Sequence, residues 1–114
     1  MKKETELVIL ISSDTMGQGS PELGQILIKS YLATLDDLPR TPDCLLFINA
    51  GVRLTTKDST VLEDLRTLEC KGTRLLSCGT CLNYFELGEP EVGSVSNMQT
   101  LSEVMASAKR LICL

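Results

Sequence analysis

"RLLSCGTCLNYFEL", Arg74–Leu87, changes its period halfway along. Arg74–Cys78 is a short apolar run of the kind a strand buried on both faces needs. Thr80–Leu87 spaces its apolar residues as a helix does and meets a stop at Gly88. A strand that turns into a helix across "SCGTC" is half of a β–α unit, and a chain of such units builds a parallel sheet with helices on its faces.

The same alternation extends in both directions. "ELVILIS" (Glu6–Ser12) reads as a buried strand, followed by the loop "SDTMGQGS" (Ser13–Ser20). Ser20 can cap a helix that begins at Pro21, where the missing N–H costs nothing, and Leu23, Ile26, Leu27, Leu32 and Leu35 form its stripe. Prolines in "LPRTP" forbid its continuation. "DCLLFIN" (Asp43–Asn49) is the second strand and "AGVRLTTKDS" a loop. Val61, Leu62, Leu65 and Leu68 face inward from a second helix closed at Gly72. Beyond Gly88, "EVGSVS" (Glu91–Ser96) is a short fourth strand. Ser96 and Gln99 have capping-box spacing, and Leu101, Val104, Met105 and Ala108 form the last helical stripe before the strand "RLICL" (Arg110–Leu114). Five strands and four helices predict a three-layer α/β/α sandwich of flavodoxin-like type with a mainly parallel sheet. They leave its strand order open.

The 114 residues suit one domain, 1–114, with one core. The longest apolar stretches, such as "LVILI" (Leu7–Ile11), fall far short of the ~20 residues of a membrane span. The opening "MKKETE" lacks the pattern of a secretory leader, so the expected setting is cytoplasmic, without a membrane partner. A net charge of −4 without a basic run argues against nucleic acid. The chain has no histidine, so acid–base chemistry and metal ligation by imidazole are excluded. Five cysteines, an odd number, do not form a secreted disulfide framework. Cys44, Cys70 and Cys113 read as small buried hydrophobes.

Ligands of open parallel sheets bind beyond the carboxyl ends of the strands, and that edge gathers "SDTMGQGS", "NAGVRLTT" and "SCGTC". Cys78 and Cys81 therefore lie on the functional edge. Gly79 lets the chain turn between them, and Cys81 falls in a first helical turn, which favours a thiolate. A metal clamp would need four ligands, and the chain offers one Cys-x-x-Cys pair. A thioredoxin-type redox pair would ordinarily follow a Trp, which is absent. Two inert thiols in a tight turn are the remaining reading. The glycines of "DTMGQGSPELG" lack the spacing and the Lys of a phosphate-binding loop, so that segment reads as a mobile or interface loop. Arg53 is a lone cation on the edge, suited to a thiolate, persulfide or sulfur oxyanion, or else a solvated loop residue.

"LVILISSDTMGQGSPELGQILIKSYLATL", "LLFINAGVRLTTKDSTVLEDLRTLECKGTRLLSCGTCLNYFEL" and "VGSVSNM" together resemble the DsrE/DsrF-like family, over essentially the whole chain and most specifically in "LSCGTCLNYF". Within that family the chain is similar to the carboxyl-terminal domain of YedF-type proteins, sulfurtransferase-like and linked to selenium metabolism. The resemblance implies a cytoplasmic sulfur-relay domain that works without a cofactor or metal. Cys78 would carry a persulfide, Cys81 would be the second thiol, and Arg53, Gly79 and Thr80 would contact the substrate. It also implies homo- or hetero-oligomers, and a homo-oligomer is expected. Complete YedF proteins have a TusA-like domain upstream, not found here, so either sulfur donor and acceptor proteins, TusA-like or a desulfurase, act in trans or the chain is an excised domain. A thiol–disulfide switch and a noncatalytic oligomeric binding module are the alternatives. Two apolar segments, "SPELGQILIKSYL" and "LNYFEL", are candidate contacts between subunits.

Overall fold

A computed structural model describes residues 5–114; the opening Met1–Glu4, read above as part of a non-leader terminus, lies outside the described residues. Five strands are described: β1 (Thr5–Ile11), β2 (Cys44–Phe47), β3 (Arg74–Cys78), β4 (Ser94–Ser96) and β5 (Ala108–Cys113). They form one sheet in the order β4-β3-β2-β1-β5, and every pairing is parallel. The helices are α1 (Pro21–Leu35), α2 (Leu62–Cys70), α3 (Gly79–Tyr84) and α4 (Met98–Ser107), with a 3₁₀ helix over Asn49–Thr55.

Side chains of alternate parity leave the sheet on opposite sides. Ile9, Ile11, Leu45, Phe47 and Leu75 pack with Ile28, Leu32, Leu65, Leu68 and Leu82, under α1, α2, the 3₁₀ helix and α3. Val8, Cys44, Leu46, Leu76 and Cys78 pack with Leu101 of α4. The handedness of parallel crossovers explains this division. From β1 to β4 the chain steps one way across the sheet, and a right-handed connection then always falls on the same face. The step from β4 back past β1 to β5 runs the other way, so α4 lies on the opposite face.

Local signals agree with several of the expected boundaries. Ser20 Oγ accepts the Leu23 N–H at 3.2 Å, capping α1 at Pro21 as its sequence implies. Gly72, with φ of 105°, ends α2, the Gly72 and Thr73 N–H groups donating to the Glu69 and Leu68 carbonyls in a Schellman pattern.

Other expectations change. The loop after β2 is helical for seven residues. In α1 the buried positions are Gly24, Ile28, Leu32 and Leu35, while Leu23, Ile26 and Leu27 face outward. Gly24 sits against the preceding loop: a Cβ there would come within 2.7 Å of the Thr15 Cβ, and the Met16 N–H donates to the Gly24 carbonyl. That close approach rotates the inward face away from Leu23 and Leu27. Helix α3 stops at Tyr84, and Glu86 makes the left-handed turn that closes it, at φ of 54°, while the Leu87 N–H reaches the Leu82 carbonyl; Gly88, also left-handed at φ of 74°, lies beyond that closure. Asn97, not Ser96, caps α4, accepting the Thr100 N–H at 2.9 Å. Ala108 begins β5 rather than ending the helical stripe.

Two cysteines expected to be buried are exposed: Cys70 on the last turn of α2, and Cys113 on the edge strand β5. Their apolar neighbours misled, because a helix end and an edge strand leave part of their surface in water. Among the described residues no helix is long and apolar enough to cross a membrane.

Candidate functional site

The loops leaving β1, β2 and β3 turn to one face of the sheet, and the loop leaving β4 turns to the other. Between β3 and β4 the connections therefore diverge, and such a switch point at the carboxyl edge is the usual place for a ligand in these sheets. Cys78 is the last residue of β3, in register with Ser96 at the end of β4. The Cys-x-x-Cys turn occupies the point where the topology switches.

Cys78 is the N-cap residue of α3, with β-type backbone angles, yet its side chain makes no capping bond. Serine is a far commoner choice there. Its thiol is 3 % exposed and packs with Leu76 and Leu101. Cys81, in the first turn of α3, is half-buried and touches the cores on both sides of the sheet. The two thiols are free, and Cys78 lies close enough to Cys81 to influence its titration.

Gly79 serves by its size. A Cβ there would meet the Val95 Cγ1 at 3.0 Å and the Ser96 carbonyl oxygen at 3.4 Å, so the glycine lets β4 close against the turn. The sharp turn itself needs no left-handed backbone at this position. Thr80 is exposed beside it.

The sequence reading missed Asn49. At the end of β2 it adopts φ of 50°, a conformation asparagine tolerates better than most residues, and its backbone N–H donates to the Cys81 Sγ at 3.1 Å. The "NAG" of Asn49–Gly51 was a usable signal, since asparagine near glycine marks turns with positive φ. The Ser77 hydroxyl, 3.1 Å from the Thr55 hydroxyl, holds the 3₁₀ helix against β3 from its other end.

Burial pushes the Cys81 thiol above its ordinary range. The Asn49 N–H pulls the other way, and the neighbouring Cys78 adds to the rise. This reverses the expectation of a thiol acidified by a helix terminus and Arg53. Helix α3 has only six residues, and the Arg53 guanidinium lies over the Phe85 ring, 4.5 Å from its centroid, instead of over the sulfur. Alkylation of Cys81, followed as rate against pH with Cys70 and Cys113 replaced by serine, is expected to reach half its plateau above the pH of a free thiol. Because the folded pKa is raised, any stability linked to this proton is complete below the ordinary thiol range and falls as pH rises through the raised value.

No protein-family model and no curated protein matches the sequence. Solved structures share the fold, among them the following two. YchN from E. coli superposes with a TM-score of 0.73 at 13% identity, over 96% of this chain and 99% of that one. MTH1491 from Methanobacterium thermoautotrophicum, a protein of unknown function, does so with a TM-score of 0.66 at 20% identity, over 94% and 99%. The five-stranded parallel α/β fold of this chain is thus that of YchN, the flavodoxin-like architecture that the DsrE-like resemblance implied.

Proposed function

We propose that this protein is a persulfide carrier of a sulfur relay, with the sulfane sulfur held by the Cys78–Cys81 pair. The observation that supports it is the pairing of one buried and one accessible thiol at the topological switch, with the Asn49 N–H directed at the accessible sulfur. Such an N–H stabilises negative charge on sulfur, and persulfide transfer requires only a thiolate to attack and a thiolate to leave.

The unequal burial divides the labour. The Cys81 thiolate attacks the outer sulfur of a donor persulfide. A new S–S bond forms at Cys81, the donor's S–S bond breaks, and the donor departs as a thiolate. Cys78, as thiolate, then takes the outer sulfur from Cys81, and Cys81 regains its thiolate. Cys78 remains the carrier, with Cys81 as its gate, and the stored sulfur lies away from solvent. The donor and acceptor classes are those of sulfur relays, TusA-like or desulfurase proteins, in the reducing cytoplasm that keeps such thiols free. Intact mass after exposure to a desulfurase and cysteine tests the reading: one added sulfur atom, removed by reductant, is expected.

Self-association belongs to the same reading. On α1, Leu23, Ile26 and Leu27 are exposed, Ile26 to 64%, and Tyr84 beside the thiol turn is 81% exposed. Light scattering at tens of micromolar is expected to show a homo-oligomer, with Ile26→Glu shifting it toward monomer. A wild type that stays monomeric removes this part of the proposal.

A further inference from the structure

Beside the thiol turn lies an open cleft of about 620 Å³, within the size range of small-ligand sites. Its wall includes five charged side chains of both signs: Arg53 and Lys57, and Asp14, Asp58 and Glu86. None of the five side chains has an ion-pair or hydrogen-bond partner among the described residues. Arg53 is held instead on the face of Phe85, and Asp58 and Glu86 adopt left-handed backbone angles of 113° and 54°. Opposite charges that share a cleft without pairing leave both signs available to a ligand. Conformations this rare in residues with side chains cluster where ligands are held.

The cleft does not include either cysteine, but it shares two elements with them. Asn49 and Arg53 lie on one 3₁₀ helix, about 8 Å apart along its axis. Phe85 follows Cys81 by one helical turn, its N–H donating to the Cys81 carbonyl at 3.1 Å. A ligand seated on Arg53 is thus within a short molecule's length of the Cys81 sulfur.

We propose that this cleft binds zwitterionic low-molecular-weight thiols of the cysteinyl peptide class, with carboxylates on Arg53 and Lys57 and the ammonium facing Asp14 and Glu86. Their persulfides then serve as sulfur donors, a role that rests on the carrier reading above. Cys81 as thiolate takes the outer sulfur, the donor's S–S bond breaks, and the small thiol leaves as its thiolate, with no net oxidation.

The test uses the full chain and S-methylglutathione, which cannot transfer sulfur, followed by NMR titration. Saturable binding is expected, weakened at least about fivefold both by Arg53→Gln and by esterifying the ligand's carboxylates. Absence of saturable binding, or binding indifferent to both changes, overturns the proposal. Loading from glutathione persulfide and from its dimethyl ester gives the second arm. Equal rates overturn the donor role and leave the carrier reading standing. Binding as described, with no sulfur on either cysteine from any active donor, upholds the cleft's ligand class and rejects the carrier.

Discussion

Cys81→Ser is expected to slow the loading of sulfane sulfur by at least about tenfold, because the remaining thiol, on Cys78, is 3 % exposed and a thiolate must reach the donor's outer sulfur in line. Cys78→Ser should still load one sulfur, on Cys81, and lose it to a small reductant faster than the wild type does. The substitution at position 78 is structurally mild, since serine suits the N-cap it would occupy. A loss of loading there would therefore not be a folding defect. Intact mass against time, for wild type and both variants with one persulfide donor, reads all of this.

Three results are decisive. Loading in Cys81→Ser at the wild-type rate would make Cys78 the entry thiol. Wild type that forms only the Cys78–Cys81 disulfide, with the donor's sulfur released as hydrosulfide, would favour the redox switch. Absence of sulfur on every variant, with the donor shown active, would sink the sulfur-transfer reading.

Gly51→Ala is expected to lower stability by about 1–3 kcal/mol, the usual range for forcing an extra methyl into a packed site. An added Cβ would collide with the Ile11 carbonyl at the end of β1, which is backbone and cannot rotate away. That carbonyl already accepts the Ile48 N–H at 3.1 Å, so the start of the 3₁₀ helix has to lift off the sheet. Asn49 lies between these residues. Its N–H should withdraw from Cys81, and the Cys81 pKa should rise further, because the hydrogen bond that lowers it is lost.

Gly72→Ala is the comparison. It also strains the backbone, at φ of 105°, but an added Cβ there meets nothing within 4 Å. It should cost stability without moving the Cys81 titration. Chemical denaturation and alkylation rate against pH separate the two. A Gly51→Ala chain with unchanged thiol chemistry would show that the Asn49 contact does not tune Cys81.

Periodicity was enough to read the parallel α/β architecture, because strands buried on both faces and amphipathic helices leave unmistakable patterns in a chain. "RLLSC" reads as a strand over the same residues that form β3. Local chemistry likewise placed the cap at Ser20 and the stop at Gly72, since each depends on neighbours within a few residues. The same locality explains the failures. Which side of α1 faces inward depends on Thr15 and Met16 packing on Gly24, and whether Glu86 or Gly88 ends α3 depends on how Leu87 closes against the core.

The sequence by itself determined that two thiols would stand at the end of a buried strand, on the edge where such sheets bind ligands. Only the tertiary structure decided that β4 lies beside β3, so that this turn occupies the switch point. It also decided that Cys78 is buried while Cys81 is reachable, and that Asn49, 32 residues away in sequence, supplies the N–H to its sulfur. Arg53, read as a partner of the thiols, belongs to the neighbouring cleft because the ring of Phe85 holds it there. These are contacts between distant segments, set by strand order and crossover handedness, and no local pattern of residues encodes them.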